Sequence, residues 1–408
     1  MFKSFWNTFS AAPHRLFFFS GAIQLILPIL AWSVELIGRY TNLWSPLELF
    51  MPATWAHGMI MIYGLFIFFI FGFLMTVFPR WMGGELIPRE HYISTWVWLN
   101  LGMIFFELSL FGLPIQALTG ISVFLFGWLF GIFALYQSYK KAPADNKTYE
   151  GILLIALLCG SLGVASFAWW LYSDSWFFIE LTFNIGIWLY LVPVLFTVCY
   201  RMLPFFSGNV IDNYITYQPR RNLLLFLAGC ILHFILEQTH QNVWLFLVDI
   251  PLAAIALLHS IRWQLHRSFK DRLLAVIHMA FFWLFIGLSL LSLQSLLQFI
   301  SGDYLMNKAP LHAISIGFAA SLLIAMASRV TLGHSGRMLI LDKLSWTLFL
   351  GLQLAALARI ASDLQFENML ESNSFNLLAI ALWLISLGFW FIRYAPIYLS
   401  KRIDGKQG

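Results

Sequence analysis

Trp55-Ala-His57-Gly-Met-Ile-Met-Ile-Tyr-Gly-Leu-Phe-Ile-Phe-Phe-Ile-Phe-Gly-Phe-Leu-Met-Thr-Val-Phe-Pro79 contains no Asp, Glu, Lys or Arg, and it ends at Arg80. A helix needs about 20 mostly apolar residues to cross a ~30 Å hydrocarbon layer, and this stretch exceeds that. The pattern recurs on both sides of it. Similar runs lie near 16–37, 92–112, 114–136, 150–172, 176–200, 221–240, 242–261, 272–297, 309–329, 343–364 and 375–397. The sequence therefore predicts an all-α fold, a polytopic transmembrane helix bundle of about twelve helices. Composition agrees: 60% of the 408 residues are hydrophobic, only 11% are charged, and mean hydropathy is +0.79. A water-facing surface requires roughly a quarter charged residues, so a soluble domain is excluded. The connections are too short to hold a second domain, which leaves one integral membrane domain over 1–408.

Basic residues set the expected orientation, because cytoplasmic loops collect Lys and Arg. With the N-terminus inside, the cytoplasmic segments hold Lys3, Arg15, Arg80, Arg89, Lys140, Lys141, Lys147, Arg201, Arg220, Arg221, Arg262, Arg267, Lys270, Arg272, Arg329, Arg337, Lys343, Arg393, Lys401, Arg402 and Lys406. Only Arg39, Lys308 and the intra-span Arg359 remain of the 24 basic residues. Both chain ends are thus expected in the cytoplasm, and the net charge of +5 reflects this bias rather than a nucleic-acid partner. Three unpaired cysteines (Cys159, Cys199 and Cys230) indicate neither a disulfide framework nor a CxxC site. The spans at 55–79 and 309–329 resemble each other. Each has Pro then His near its start (Pro52/His57, Pro310/His312) and Arg then Gly at its end (Arg80/Gly83, Arg329/Gly333). That similarity points to two related halves, about 1–200 and 221–408.

Ionisable groups in lipid are costly, so each needs a reason. Neutral imidazole is the usual ligand for haem iron, copper and zinc. His57 and His312 are expected near the outer ends of their spans, and His14, His278 and His334 toward the inner side. His312 and His334 are 22 residues apart on one helix, about 33 Å, so they cannot share a metal. His233 is mid-span. His259 and His266 flank Arg262 and Arg267 in what reads as a solvated amphipathic turn. Arg15, Arg80, Arg201, Arg329 and Arg337 either anchor helix ends or gather around an anion. The contexts Arg201-Met-Leu-Pro-Phe-Phe-Ser-Gly and Arg329-Val-Thr-Leu-Gly-His-Ser-Gly-Arg337 are more elaborate than anchoring requires. Glu107, Glu180, Glu237 and Asp249 fall in the expected outer halves, either as a proton path or as helix-end residues near water, whereas Glu35 reads as a helix-end residue.

These motifs resemble one family. Trp55-Ala-His57-Gly-Met…Gly72-Phe-Leu-Met-Thr-Val-Phe-Pro79-Arg-Trp81, Arg201-Met-Leu-Pro-Phe-Phe206, His278-Met-Ala-Phe-Phe-Trp283 and Leu311-His312-Ala…Met326-Ala-Ser-Arg329-Val-Thr-Leu-Gly333-His334-Ser-Gly-Arg337 are similar to NnrS signatures, as is Pro13-His-Arg15-Leu-Phe-Phe. The resemblance implies a multi-pass bacterial inner-membrane protein of nitric oxide metabolism or nitrosative stress defence, binding haem b and copper. It carries His57, His312, His278 and His334 over as metal ligands, and Arg201, Arg329 and Arg337 as family arginines. It also exposes a departure: where the family's second-helix motif reads His-Ala-His-Glu, this chain has Trp55-Ala-His57-Gly58. One imidazole and one carboxylate are missing, which puts copper in question.

Three functions follow as expectations. The first is haem-dependent redox chemistry on nitric oxide, with an unidentified electron donor, a gas partner arriving through lipid, and protons supplied along the acids. The second is a twelve-helix secondary transporter, and the third is a non-enzymatic haem or metal chaperone or sensor.

Overall fold

A computed structural model describes residues 2–41, 43–112, 114–364 and 369–405. Lys406 of the basic set, and Leu113 in the connection between the third and fourth spans, lie outside the described residues. The chain is 81% helical with no strands among the described residues. The helices that correspond to the expected spans are α1 (Pro13–Tyr40), α2 (Ala53–Trp81), α3 (Arg89–Ser109), α4 (Pro114–Lys141), α5 (Thr148–Ser173) and α6 (Trp176–Gly208). They continue with α7 (Arg220–Gln238), α8 (Phe246–Arg262), α9 (Arg272–Ser301), α10 (Ala309–His334), α11 (Lys343–Asp363) and α12 (Met369–Leu399). A short helix, Phe2–Phe9, precedes them. Ten are long and apolar enough to cross a membrane; α3 and α8 complete the expected set as slightly more polar or shorter helices. This is a multi-pass membrane architecture.

Prolines and caps explain the boundaries. Pro13 and Pro310 stand in the first turns of α1 and α10, where the missing N–H costs nothing. Asp271 and Asp342 cap α9 and α11, accepting from the Leu274 and Ser345 amides at 2.8 and 3.0 Å. Gly302 closes α9 at φ +80°, which only glycine adopts freely.

The chain forms two compact units. Unit one comprises Met1–Val194, Val330–Arg337 and Phe391–Gly408; unit two comprises Leu195–Arg329 and Met338–Trp390. In unit one, α3 and α4 pack backbone to backbone. Gly102 lies against Phe124, Gly120 against Phe106 and Gly127 against Leu99, each where a Cβ would strike the facing chain. Without a hydrophobic drive between helices in lipid, such small-residue contacts are what bring helices together. The opposite faces carry exposed Leu101, Ile104, Phe105 and Leu108 on α3 and Phe126, Leu129 and Phe133 on α4, as lipid-facing positions should. In unit two, buried polar links join helices: Trp283 Nε1 donates to Gln353 Oε1 at 2.7 Å, and Gln353 Nε2 donates to Ser321 Oγ at 2.8 Å.

Among the described residues, three helices contain π-helical turns: Ile60–Leu65 in α2, Ile185–Leu191 in α6 and Ala313–Ala320 in α10. A π turn is uncommon and often marks a functional segment, since it re-aims the side chains that follow. Those of α2 and α10 begin just after His57 and His312, so the two similar spans share a backbone irregularity as well as a motif. In unit one the first two π turns present Tyr63 and Tyr190 to each other, stacked at 5.9 Å. Tyr63 donates to the Thr182 carbonyl at 2.6 Å.

Candidate metal and anion site

The Pro13-His14-Arg15 opening of α1 meets the end of α10 in unit one. The His14 and His334 rings lie 4.8 Å apart, tilted by 47°. His14 is buried at 3% exposure, and its backbone N–H donates to Thr76 Oγ1 at 3.3 Å. Thr76 is tied to α2 by donating to the Gly72 carbonyl at 2.7 Å. His334 is half-buried. Arg15, Arg80 and Arg402 all act electrostatically on His14, and Arg80 and Arg402 act on His334. Arg337 and Arg402 act on Arg15 in turn.

These arginines have different work. Arg15 donates to the backbone carbonyls of Thr8, Tyr398 and Ser400 at 2.9, 3.0 and 2.8 Å, so it pins the chain ends together. Arg402 holds Asp404 through two hydrogen bonds of 2.9 and 2.6 Å. Arg80 is exposed, and Arg337 keeps a buried Nη1 with no hydrogen-bond acceptor. A buried guanidinium N–H without an acceptor is costly, and an anionic group is what would satisfy it.

The donor set at His14 and His334 fits a metal. With metal–nitrogen bonds of about 2.0–2.1 Å, two imidazoles on opposite sides of one metal put their ring centres roughly 6 Å apart. The observed 4.8 Å is shorter. The spacing would suit one ion held between a nitrogen of each ring. Among the described residues, no three His, Cys, Asp or Glu side chains gather into a metal-binding group.

The other expected residues separate between the units. In unit one, His57 stacks on Trp32 at 4.4 Å and 17°. Beside it, the departure from the family motif is built into aromatic packing. Trp55 meets Trp170 and Trp176 at 5.1 and 5.4 Å, and a Cβ at Gly58 would lie 2.6 Å from Phe183. Phe183 thus fills the space that a glutamate would take, and this end of unit one does not fit an additional His-and-Glu metal site. In unit two, His312 Nδ1 lies 2.9 Å from the Lys308 carbonyl and 3.2 Å from Asp363 Oδ2. Asp363 also pairs with Arg359 at 2.7 Å, which explains the basic residue inside α11. His278 Nε2 is 2.9 Å from Ser207 Oγ, and its Nδ1 is buried with no partner. Tyr214 is close to Ser207, and burial pushes its phenol up to about 12, so it stays neutral. Arg329 stacks over Phe206 at 4.1 Å with Asp271 as its nearby acid; Arg201 is half-buried on α6.

Of the acids, Glu107 on α3 lies near Gln24 of α1 and keeps a buried Oε1 without a hydrogen-bond partner. Glu180 is half-buried on α6, and Glu237 lies beside His233 at 3.6 Å. Glu35 is structural: it takes Arg39 at 2.6 Å and the Leu47 amide at 2.7 Å, fixing the connection to α2.

One sequence reading is corrected. His259 is not in a solvated turn. It is fully buried among Phe196, Tyr200, Tyr217 and Trp263, with ring distances from 4.8 to 6.1 Å. The connection after α6 folds back on it, because Trp263 Nε1 donates to the Tyr217 carbonyl at 2.8 Å. His266 alone is exposed.

Three pairings escaped the sequence reading. The sequence places His14 with His278 and His334 toward the inner side, but nothing in it pairs His14 with His334. Asp363 sits four residues after Arg359, a spacing that announces an ion pair. His233 and Asp249 lie equally far in sequence from residue 241, in the turn between α7 and α8, and a helical hairpin brings such positions together.

The family model described as NnrS protein matches residues 8–402, nearly the whole chain. No curated protein matches it.

Proposed function

The chain belongs to the NnrS family, which is associated with nitric oxide metabolism or response, and we propose that it binds haem b, copper or both in a bacterial inner membrane to handle nitric oxide there. The observation that carries this reading is the His14–His334 pair at 4.8 Å, with Arg15, Arg80 and Arg402 within electrostatic reach of it. A bound haem or copper would supply a centre that takes a small diatomic gas and exchanges electrons with it. His14 and His334 provide the nitrogen donors. Arg337 offers an unsatisfied N–H to an anionic substituent, and Arg80 adds charge from the exposed side. Arg15 holds the chain ends so that His14 stays in register with His334.

His57, His312 and His278 remain candidate ligands for further metal, and Arg201 and Arg329 for anionic groups. Glu107, Glu180 and Glu237 are candidates for a proton path. The aromatic filling at Trp55, Gly58 and Phe183 favours a member that has given up one metal of the family's complement.

The test is the visible spectrum and elemental content of detergent-solubilised full-length protein. A Soret band that shifts on reduction and on nitric oxide addition, or stoichiometric copper, is the expected result. His14→Phe and His334→Phe are each expected to lower the bound metal or haem at least tenfold, whereas His57→Phe leaves the His14–His334 centre intact. Protein from haem- and copper-replete cells that holds neither would overturn the proposal and leave the twelve-helix transporter reading in its place.

A further inference from the structure

Unit two contains a buried charge cluster that the metal reading does not use. On α7, His233 is 1% exposed at its side chain; on α8, Asp249 is 0% exposed. Their Nδ1 and Oδ1 atoms are 2.6 Å apart, a short charge-assisted hydrogen bond. One turn beyond His233, Glu237 reaches the surface with 36% of its side chain exposed, yet its Oε2 is turned inward, 3.6 Å from His233 Nε2. That oxygen and Asp249 Oδ2 are both buried and have no hydrogen-bond partner.

A purely structural ion pair in lipid would satisfy both carboxylate oxygens, because each unsatisfied buried acceptor costs about 1–3 kcal/mol. Here the order is surface carboxylate, buried imidazole, buried carboxylate, with an open acceptor on each acid. Imidazole is the one side chain that can accept a proton at one ring nitrogen and release one from the other. Chains of Asp, Glu and His inside membranes are the usual carriers of protons.

We propose that Glu237, His233 and Asp249 form a proton relay, with Glu237 as the entry and Asp249 as a buried loading site. Glu237, protonated from water, turns through the short gap and gives its proton to His233 Nε2. The imidazolium releases its Nδ1 proton to Asp249 Oδ1 and is left as the neutral Nε2–H tautomer. Glu237, now a carboxylate, takes a new proton from water. A ring rotation, or return of the proton by the same route, resets His233. No electron moves and no bond other than N–H and O–H changes. Among the described residues, Cys230 on α7 lies within electrostatic reach of Asp249. Tyr304, in the connection after α9, donates to the Asn307 carbonyl at 3.2 Å and lies within electrostatic reach of Glu237 and Asp363. Asp363 is itself held by His312 and Arg359.

The relay does not rest on the metal reading, and its test uses no cofactor. Infrared difference spectra of the reconstituted full-length protein are recorded on stepping between acidic and alkaline buffer, in water and in deuterium oxide. The expected signal is a buried carboxyl C=O band that Asp249→Asn removes. In Glu237→Gln, a surface change that folding should tolerate, the band remains but its response to the buffer step slows at least tenfold. His233→Gln is expected to slow it similarly. A pH-dependent buried carboxyl band that persists unchanged in Asp249→Asn, or a Glu237→Gln protein that responds as fast as the parent, overturns the proposal. Failure of the haem and copper measurements would leave this result untouched.

Discussion

Replacing Gly163 by Ala tests whether the π turns of α2 and α6 are held together as described. An added Cβ at Gly163 would land on the Tyr63 hydroxyl and lie 2.8 Å from Tyr63 Cζ and 3.2 Å from Ile185 Cγ2. Tyr63 is fully buried, stacked on Tyr190 and hydrogen-bonded to Thr182 at 2.6 Å, so it has nowhere to retreat. Overpacking a core costs about 1–3 kcal/mol, and displacing the hydroxyl from its acceptor costs about 1 kcal/mol more. Gly to Ala inside a helix returns about 1 kcal/mol. The net expectation is a loss of about 1–3 kcal/mol, read from reversible unfolding in mixed detergent micelles. The same change in a Tyr63→Phe background meets no hydroxyl, although Cζ is still close. There the cost of Gly163→Ala should fall by at least about 1 kcal/mol, the coupling energy of a double-mutant cycle between touching residues. Equal costs in the two backgrounds would falsify the argument, because the hydroxyl would then not be what Gly163 accommodates.

Other outcomes follow from single observations. Gly58→Glu, which restores the family's carboxylate, should destabilise the protein by about 1–3 kcal/mol through collision with Phe183; Phe183→Ala in the same chain should recover part of that loss, and no recovery would mean that another neighbour fills the space. Glu35→Gln removes the charge that holds Arg39 and the Leu47 amide, so limited proteolysis in the connection between α1 and α2 should quicken while the spans stay protected. Fusions at the C-terminus should report a cytoplasmic location, fluorescent with green fluorescent protein and inactive with alkaline phosphatase; the reverse pattern would refute the orientation drawn from the Lys and Arg bias.

The helices were legible because hydrophobic length is a local property: all twelve expected runs coincide with helices, with ends displaced by a few residues. The π turns were not. An inserted residue in a helix is stabilised by the packing around it, and nothing in Ile60–Leu65 or Ala313–Ala320 differs in kind from neighbouring apolar sequence. The site was half legible. His334 and Arg337 stood out by motif, but their meeting with His14 joins positions more than three hundred residues apart, which no periodicity encodes. His259 misled for a related reason: its charged neighbours Arg262 and Arg267 suggested water, while Tyr217, from a loop distant in sequence, covers it. The hairpin pair His233–Asp249 was accessible in principle, since it needs only the turn position and the antiparallel rule.

The distribution of acids completes the argument about chemistry. Where α2 begins in unit one, Trp55 and Gly58 stand among Trp170, Trp176 and Phe183, which close the space with aromatic carbon. In unit two the corresponding start of α10 keeps its histidine and supplies it with an acid, Asp363, while α7 and α8 bury a second histidine–carboxylate pair. Burying charge in lipid is expensive, so two such pairs in unit two call for a reason beyond packing, and Asp249 keeps a buried oxygen without a partner there. Its place beside His233, with Glu237 leading in from the surface, is explained if protons must reach the interior of unit two.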